Sequence, residues 1–102
     1  MSLQPLTAIS PVDGRYYAQL SSLSAYFSEY ALIRYRVKVE IEYFLALAEE
    51  GIFAYGKKKA GALRKVYEQF SLADAQKVKD TEKITNHDVK AVEYFVKDRL
   101  KA

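Results

Sequence analysis

From Arg34 to Tyr43 the chain alternates strictly between charged and apolar residues: Arg34, Arg36, Lys38, Glu40 and Glu42 against Tyr35, Val37, Val39, Ile41 and Tyr43. With Val37, Val39 and Ile41 β-branched, this alternation has the form of a half-buried strand. A second pattern runs through the same residues. Tyr30, Ile33, Val37, Ile41, Phe44 and Ala48 recur at intervals of 3, 4, 4, 3 and 4, the stripe of an amphipathic helix. Helix formers flank the passage in Tyr30-Ala31-Leu32-Ile33 and Phe44-Leu45-Ala46-Leu47-Ala48, and neither glycine nor proline occurs between Gly14 and Gly51. No turn therefore separates the alternating part from its flanks, and the helical period prevails. A helix over 28–50 is predicted, with Ser28 as N-cap, Glu29 favouring the first turn and Gly51 ending it. Tyr35, Val39, Tyr43 and Leu47 lie outside its main stripe. A helix so broadly apolar is expected to be covered on more than one side, by another chain or by a further part of the same one.

The rest of the pattern is helical too. Pro5, Pro11 and Gly14 mark an irregular, turn-rich lead segment over 1–20, followed by a short helix near 21–27. Beyond a connector at Ile52–Gly56, Leu63, Val66, Tyr67 and Phe70 form one stripe of a helix over 57–70, weakly interrupted by Gly61. Ser71-Leu72-Ala73-Asp74 resembles a capping box with aspartate in place of the usual glutamate, and it opens a helix over 72–83. Val89, Val92, Val96 and Leu100 share one face of a last helix, 88–102, which meets no stop signal, so the chain reads as cut rather than finished. The expected class is all-α, one helical domain over 1–102 behind an irregular lead. Repeats and low-complexity segments are lacking.

Composition narrows the function classes. Half of the 102 residues are hydrophobic and 28% are charged, a globular balance. There is no cysteine, which excludes disulfides and thiolate metal sites. One histidine with scattered carboxylates is a poor ligand set, so no metal is expected. No apolar stretch approaches the ~20 residues that span a bilayer, and the first residues lack the layout of a secretory signal; no membrane partner and a cytoplasmic location are expected. A net charge of +3 favours anionic partners weakly.

Three places carry candidate chemistry. Ile84-Thr85-Asn86-His87-Asp88-Val89-Lys90 holds the only histidine, just before a predicted helix start. Free amides and the positive dipole end suit a phosphate or carboxylate there, with Asn86 and His87 as further donors. On the residues alone the simpler alternative is that Thr85 or Asn86 caps the helix and His87 is a solvated loop residue. In Asp13-Gly14-Arg15-Tyr16, arginine offers a fork of donors suited to phosphate and tyrosine adds a hydroxyl or a ring face; a surface turn is the plainer alternative. Lys57-Lys58-Lys59 with nine tyrosines in the chain suggests single-stranded nucleic acid. Three lysines opening a helix are more often a solvated face, and positive charge is least favoured at that end, so no nucleic-acid partner is expected. No glycine-rich phosphate loop or dinucleotide fingerprint is present.

The first two candidates are also where the sequence resembles a known family. Leu6-Thr7-Ala8-Ile9-Ser10-Pro11-Val12-Asp13-Gly14-Arg15-Tyr16 resembles the opening of bacterial adenylosuccinate lyases. Ser28-Glu29-Tyr30-Ala31-Leu32, followed by Arg34 and Val37, is similar to the start of that family's first long helix. Thr85-Asn86-His87-Asp88-Val89-Lys90-Ala91-Val92-Glu93-Tyr94-Phe95 is similar to its asparagine–histidine–aspartate segment. The resemblance covers nearly the whole chain in order, with 52–70 its least distinctive part. It implies the N-terminal helical domain of a member of the fumarase/aspartase superfamily, mostly helical homotetramers whose active sites draw on several subunits. These enzymes split adenylosuccinate to AMP and fumarate, and likewise the succinylated carboxamide ribotide of purine synthesis, without a cofactor.

Residue by residue, the resemblance implies that Arg15 and Tyr16 contact the nucleotide near its phosphate, and that Asn86, His87 and Asp88 line the same pocket. His87 would donate to an anionic group and is at most an auxiliary in catalysis. The family's usual base, a serine on a mobile loop, and its usual acid, another histidine, have no counterpart in these residues, so the piece is expected to bind substrate without turning it over. A rival of another class is a free-standing helical interaction module that uses the apolar breadth of 28–50 to bind a partner helix.

Overall fold

Gly51 ends the longest helix because its backbone takes φ +85°, a left-handed conformation that glycine enters without a Cβ penalty. In the computed structural model, which describes residues 3–101, that helix (α3) spans Glu29–Glu49. The Gly51 amide bonds the Ala48 carbonyl at 3.0 Å and the Ile52 amide bonds that of Leu47 at 3.1 Å. This paired closure satisfies two carbonyls the helix would otherwise leave open. At the other end the Ala31 amide donates to Ser28 Oγ at 3.1 Å, the cap its sequence position predicts. The alternating passage is helical throughout, with Val37 and Ile41 of the helical stripe buried and Val39 between them exposed.

Among the described residues there is no strand, and the class is all-α. The chain divides into two compact units, 1–31 and 32–102. In the first, the lead segment is a series of turns that passes into a four-residue helix α1 (Tyr17–Leu20), a 3-10 turn (Ser21–Leu23) and α2 (Ser24–Phe27). Helical structure thus begins at Tyr17, inside the stretch expected to be irregular. The cause is local: the Tyr16 amide bonds the Pro11 carbonyl at 2.9 Å and the Tyr17 amide that of Gly14 at 3.1 Å, which winds the chain before Tyr17.

The second unit holds the rest of α3 with α4 (Lys57–Glu68), α5 (Leu72–Thr85) and α6 (Asp88–Leu100). The last residue, where the sequence predicts the final helix to run on, lies outside the described residues. Ile33, Val37, Ile41 and Leu45 of α3 are buried with Leu63, Tyr67, Phe70, Ala75, Val78, Ala91, Val92, Phe95 and Val96, so each helix gives one stripe to a common core. α5 and α6 pack side by side and α6 also meets α4. Phe70 and Phe95 meet edge to face at 5.5 Å, a favoured aromatic geometry. Phe53 and Tyr55 return the connector onto Phe44, at 4.7 and 5.1 Å.

Polar ties fix how these helices meet. Arg34 Nε donates to the Tyr67 carbonyl at 3.0 Å and so completes the end of α4. Arg64 bridges to Glu42 at 3.1 Å. Ser71 and Asp74 form the full reciprocal capping box, 3.0 Å in each direction, and Asp74 also receives Arg99 at 2.8 Å. Leu32, Val39 and Tyr43 on α3 remain largely exposed, Val39 at 65% and Tyr43 at 64%, which leaves a second apolar face on that helix within its unit. No described helix is long and apolar enough to cross a membrane.

Candidate functional site

The turn between α5 and α6 is built by four consecutive residues with different tasks. Asn86 closes α5 in the left-handed region, φ 53° and ψ 33°, a conformation asparagine tolerates better than most side chains. Its amide still bonds the Glu82 carbonyl at 2.7 Å. The Thr85 hydroxyl then clamps His87 twice: it accepts from the His87 amide at 3.2 Å and donates to the His87 carbonyl at 3.0 Å. His87 is extended and is itself the N-cap of α6, its Nδ1 accepting from the Lys90 amide at 3.2 Å. The sequence alone had offered Thr85 or Asn86 as the cap. The imidazole takes that task because the left-handed Asn86 turns the next residue into the capping position.

This geometry fixes the chemistry of the imidazole. A ring nitrogen that accepts from an amide carries no proton, so neutral His87 holds its proton on Nε2. The ring is exposed, and Nε2–H meets no partner among the described residues. The amides of the tip are less free than the sequence implied. Lys90 N–H is taken by His87, and Val89 N–H by Asp88 Oδ1 at 2.8 Å. The other carboxylate oxygen of Asp88 meets Arg36 Nη1 at 2.6 Å. The Arg36 hydrogen bond, then the Val89 amide, hold the Asp88 carboxyl below its usual range against the opposing effect of desolvation. Asn86, His87 and Asp88 are therefore brought together on one exposed turn that is anchored to α3.

Arg36 is the residue that sequence reasoning missed. It entered only as one charge in the alternating passage, and nothing in a pattern of local spacing points to a partner 52 positions away.

In the first unit, Asp13 organises the lead. Its carboxylate accepts from the Ser10 amide at 2.8 Å, the Ile9 amide at 3.3 Å and the Ser10 hydroxyl at 3.2 Å. The Ser10 amide contributes most to lowering the Asp13 pKa, with burial opposing it. Gly14 is dictated by close approach, since a Cβ there would lie 2.9 Å from both the Ala8 Cβ and the Pro5 carbonyl oxygen. The two residues that follow are presented outward. Arg15 and Tyr16 are exposed, the guanidinium lies 4.9 Å from the Tyr16 ring centre, and among the described residues Arg15 meets no carboxylate. Such an arginine keeps its donors available to an oxyanion. Lys57, Lys58 and Lys59 lie exposed on the first turn of α4.

No protein-family model matches the chain. Individual relatives do. It is 54% identical over 105 residues to an adenylosuccinate lyase of Dictyostelium discoideum, across 98% of this chain and 22% of that protein. It is 46% identical to the adenylosuccinate lyase of Legionella pneumophila (strain Corby) and 44% identical to that of Escherichia coli (strain K12), each time across 98% of this chain and 23% of the relative. The chain spans less than a quarter of the length of these relatives. Over that segment its sequence is similar to adenylosuccinate lyases.

Proposed function

We propose that this chain is the N-terminal part of an adenylosuccinate lyase, and that it supplies substrate-binding residues rather than the acid and base of the reaction. The whole enzyme eliminates fumarate from adenylosuccinate, giving AMP, and from the succinylated carboxamide ribotide of purine synthesis. It acts in the cytoplasm as a homotetramer, without a cofactor. The observation that carries this reading is the 54% identity along 98% of the chain.

The chemistry of the two exposed turns supports the residue roles. Elimination needs a base for the succinyl Cβ proton, stabilisation of the carbanion and an acid for the departing purine nitrogen. The substrate brings a phosphate and two carboxylates, all of which need donors. Arg15 offers a guanidinium that meets no carboxylate among the described residues, and Tyr16 a phenol beside it. His87 offers Nε2–H from a ring whose other nitrogen is fixed by the helix start. Asn86 adds an amide donor, and Asp88 holds the turn. An imidazole that donates from Nε2 binds an anionic oxygen without giving up its cap through Nδ1. The second apolar face of α3, with Val39 and Tyr43 exposed, suits a helix covered by the remainder of a larger assembly.

The test is the activity of the complete polypeptide that contains this chain. It releases fumarate from adenylosuccinate, and His87→Ala lowers kcat/KM by about 100-fold or more, as the loss of a positioned donor does. Failure to release fumarate removes the assignment. Near-wild-type kinetics for His87→Ala remove the histidine from the site.

A further inference from the structure

We propose that Arg36 is a positioning residue for the substrate's anionic group, which cancels the charge of Asp88 so that the His87 turn can receive an anion. The proposal deepens the reading of the Asn86–His87–Asp88 turn given above and rests on it. A carboxylate in the first turn of a helix is favourable for the helix, but it is a poor neighbour for a phosphate or a carboxylate ligand. Asp88 stands next to His87, and one of its oxygens is committed to the Val89 amide. The other would face the ligand as a full negative charge. It is instead met by Arg36 at 2.6 Å, from α3, an element on which the flanking Ile33 and Val37 are buried at 3% and 0% exposure. The guanidinium is therefore delivered from a fixed base rather than from a loose surface chain.

The pair is too exposed to be explained by stability. The side chains keep 33% and 49% of their accessibility, and pairs of that kind add little to folding. Its effect is electrostatic and local. With Arg36 present the tip of α6 is neutral at Asp88, and the exposed Nε2–H of His87 sets the sign of what the turn attracts. Without Arg36 an unpaired carboxylate opposes every anionic ligand there.

The experiment is a kinetic comparison in the complete lyase. Arg36→Gln raises KM for adenylosuccinate by about tenfold, the order expected for one unmasked unit charge near a protein surface, and leaves kcat nearly unchanged. Adding Asp88→Asn to Arg36→Gln brings KM back toward the wild-type value, because the charge being masked is gone. A merely structural tie predicts the opposite, since the double variant would be no better than the single one. A KM for Arg36→Gln within twofold of wild type, or no recovery in the double variant, overturns the proposal. Should Arg36→Gln fail to fold, Arg36→Lys decides: it keeps the charge but loses the fork, so KM stays within about threefold, and a larger rise overturns the charge-masking role. His87→Ala, measured alongside, separates the two levels. Unchanged KM in that variant sinks the anion-binding turn itself and this proposal with it, whereas a raised KM there with no effect of Arg36→Gln sinks only the masking role.

Discussion

Asp74 ties the start of α5 to α6, and its removal can be given a magnitude. Its carboxylate accepts from the Ser71 amide at 3.0 Å to complete the cap of α5, and from Arg99 of α6 at 2.8 Å. The side chain keeps only 15% of its accessibility, against 36% for Arg99, so water competes with these bonds less than at an open surface. Asp74→Ala leaves the Ser71 hydroxyl cap in place but loses the reciprocal arm, worth about 0.5–1 kcal/mol, and the Arg99 pair, worth about 0.5–1 kcal/mol. The expected cost is about 1.5 kcal/mol, which in a domain of this size lowers Tm by roughly 6–12 °C. Arg99→Ala removes only the second part, so it costs about half as much.

The charge also predicts a pH dependence. Burial is the largest single influence on the Asp74 carboxyl and pushes its pKa up, but the Ser71 amide and hydroxyl with Arg99 together hold it below 3.8. A carboxyl whose folded pKa is depressed stabilises above the unfolded value, and that stabilisation fades as pH falls toward the folded one. Asp74→Asn, which keeps the shape, should therefore be destabilised at pH 7 and approach the wild type only as pH falls below the ordinary aspartate range. Thermal and urea unfolding followed by circular dichroism measure both effects. A cost under about 0.3 kcal/mol at pH 7 for Asp74→Ala, or a difference between Asp74→Asn and wild type that persists unchanged in acid, would refute this account of the helix start.

Further outcomes follow from burial and backbone geometry. Ile41 is fully buried, so Ile41→Ala costs about 2–4 kcal/mol in urea unfolding, cavity included; under about 1 kcal/mol would mean that α3 is not held in the core as described. Gly51 has φ +85° and open space around it, so Gly51→Ala costs about 1 kcal/mol from backbone strain alone, and a neutral substitution would contradict the left-handed helix end. Val39 is 65% exposed, so Val39→Thr in the isolated chain shifts unfolding by no more than about 0.5 kcal/mol. A large loss would show that this face is already covered.

Local features were the legible ones. Ser28, Gly51 and the Ser71–Asp74 box each announce a helix boundary within four residues of chain, and each sits at the boundary it announces. The competition over 34–43 was settled correctly because the helical stripe Ile33, Val37, Ile41 is the one that is buried. The stripe was less sharp at its ends: Leu45, not Phe44, goes fully into the core, since Phe44 is drawn toward Phe53 and Tyr55 instead. The Asn86–His87–Asp88 turn stood out by residue type, but its internal hydrogen bonding was hidden. That His87 caps α6 depends on the left-handed backbone of Asn86, and that Asp88 is ion-paired depends on Arg36, half the chain away. Periodicity carries no information about such pairings, because they are set by how the helices pack.

The most direct measurement is the affinity of the complete polypeptide for AMP by calorimetry, for the wild type, Arg15→Gln and His87→Ala. The account predicts that each substitution weakens binding by about tenfold or more, the scale of a lost charge-assisted or donor contact to an anion, with wild-type affinity falling as salt is raised. AMP affinity that is indifferent to both substitutions would contradict the claim that these two turns serve an anionic nucleotide.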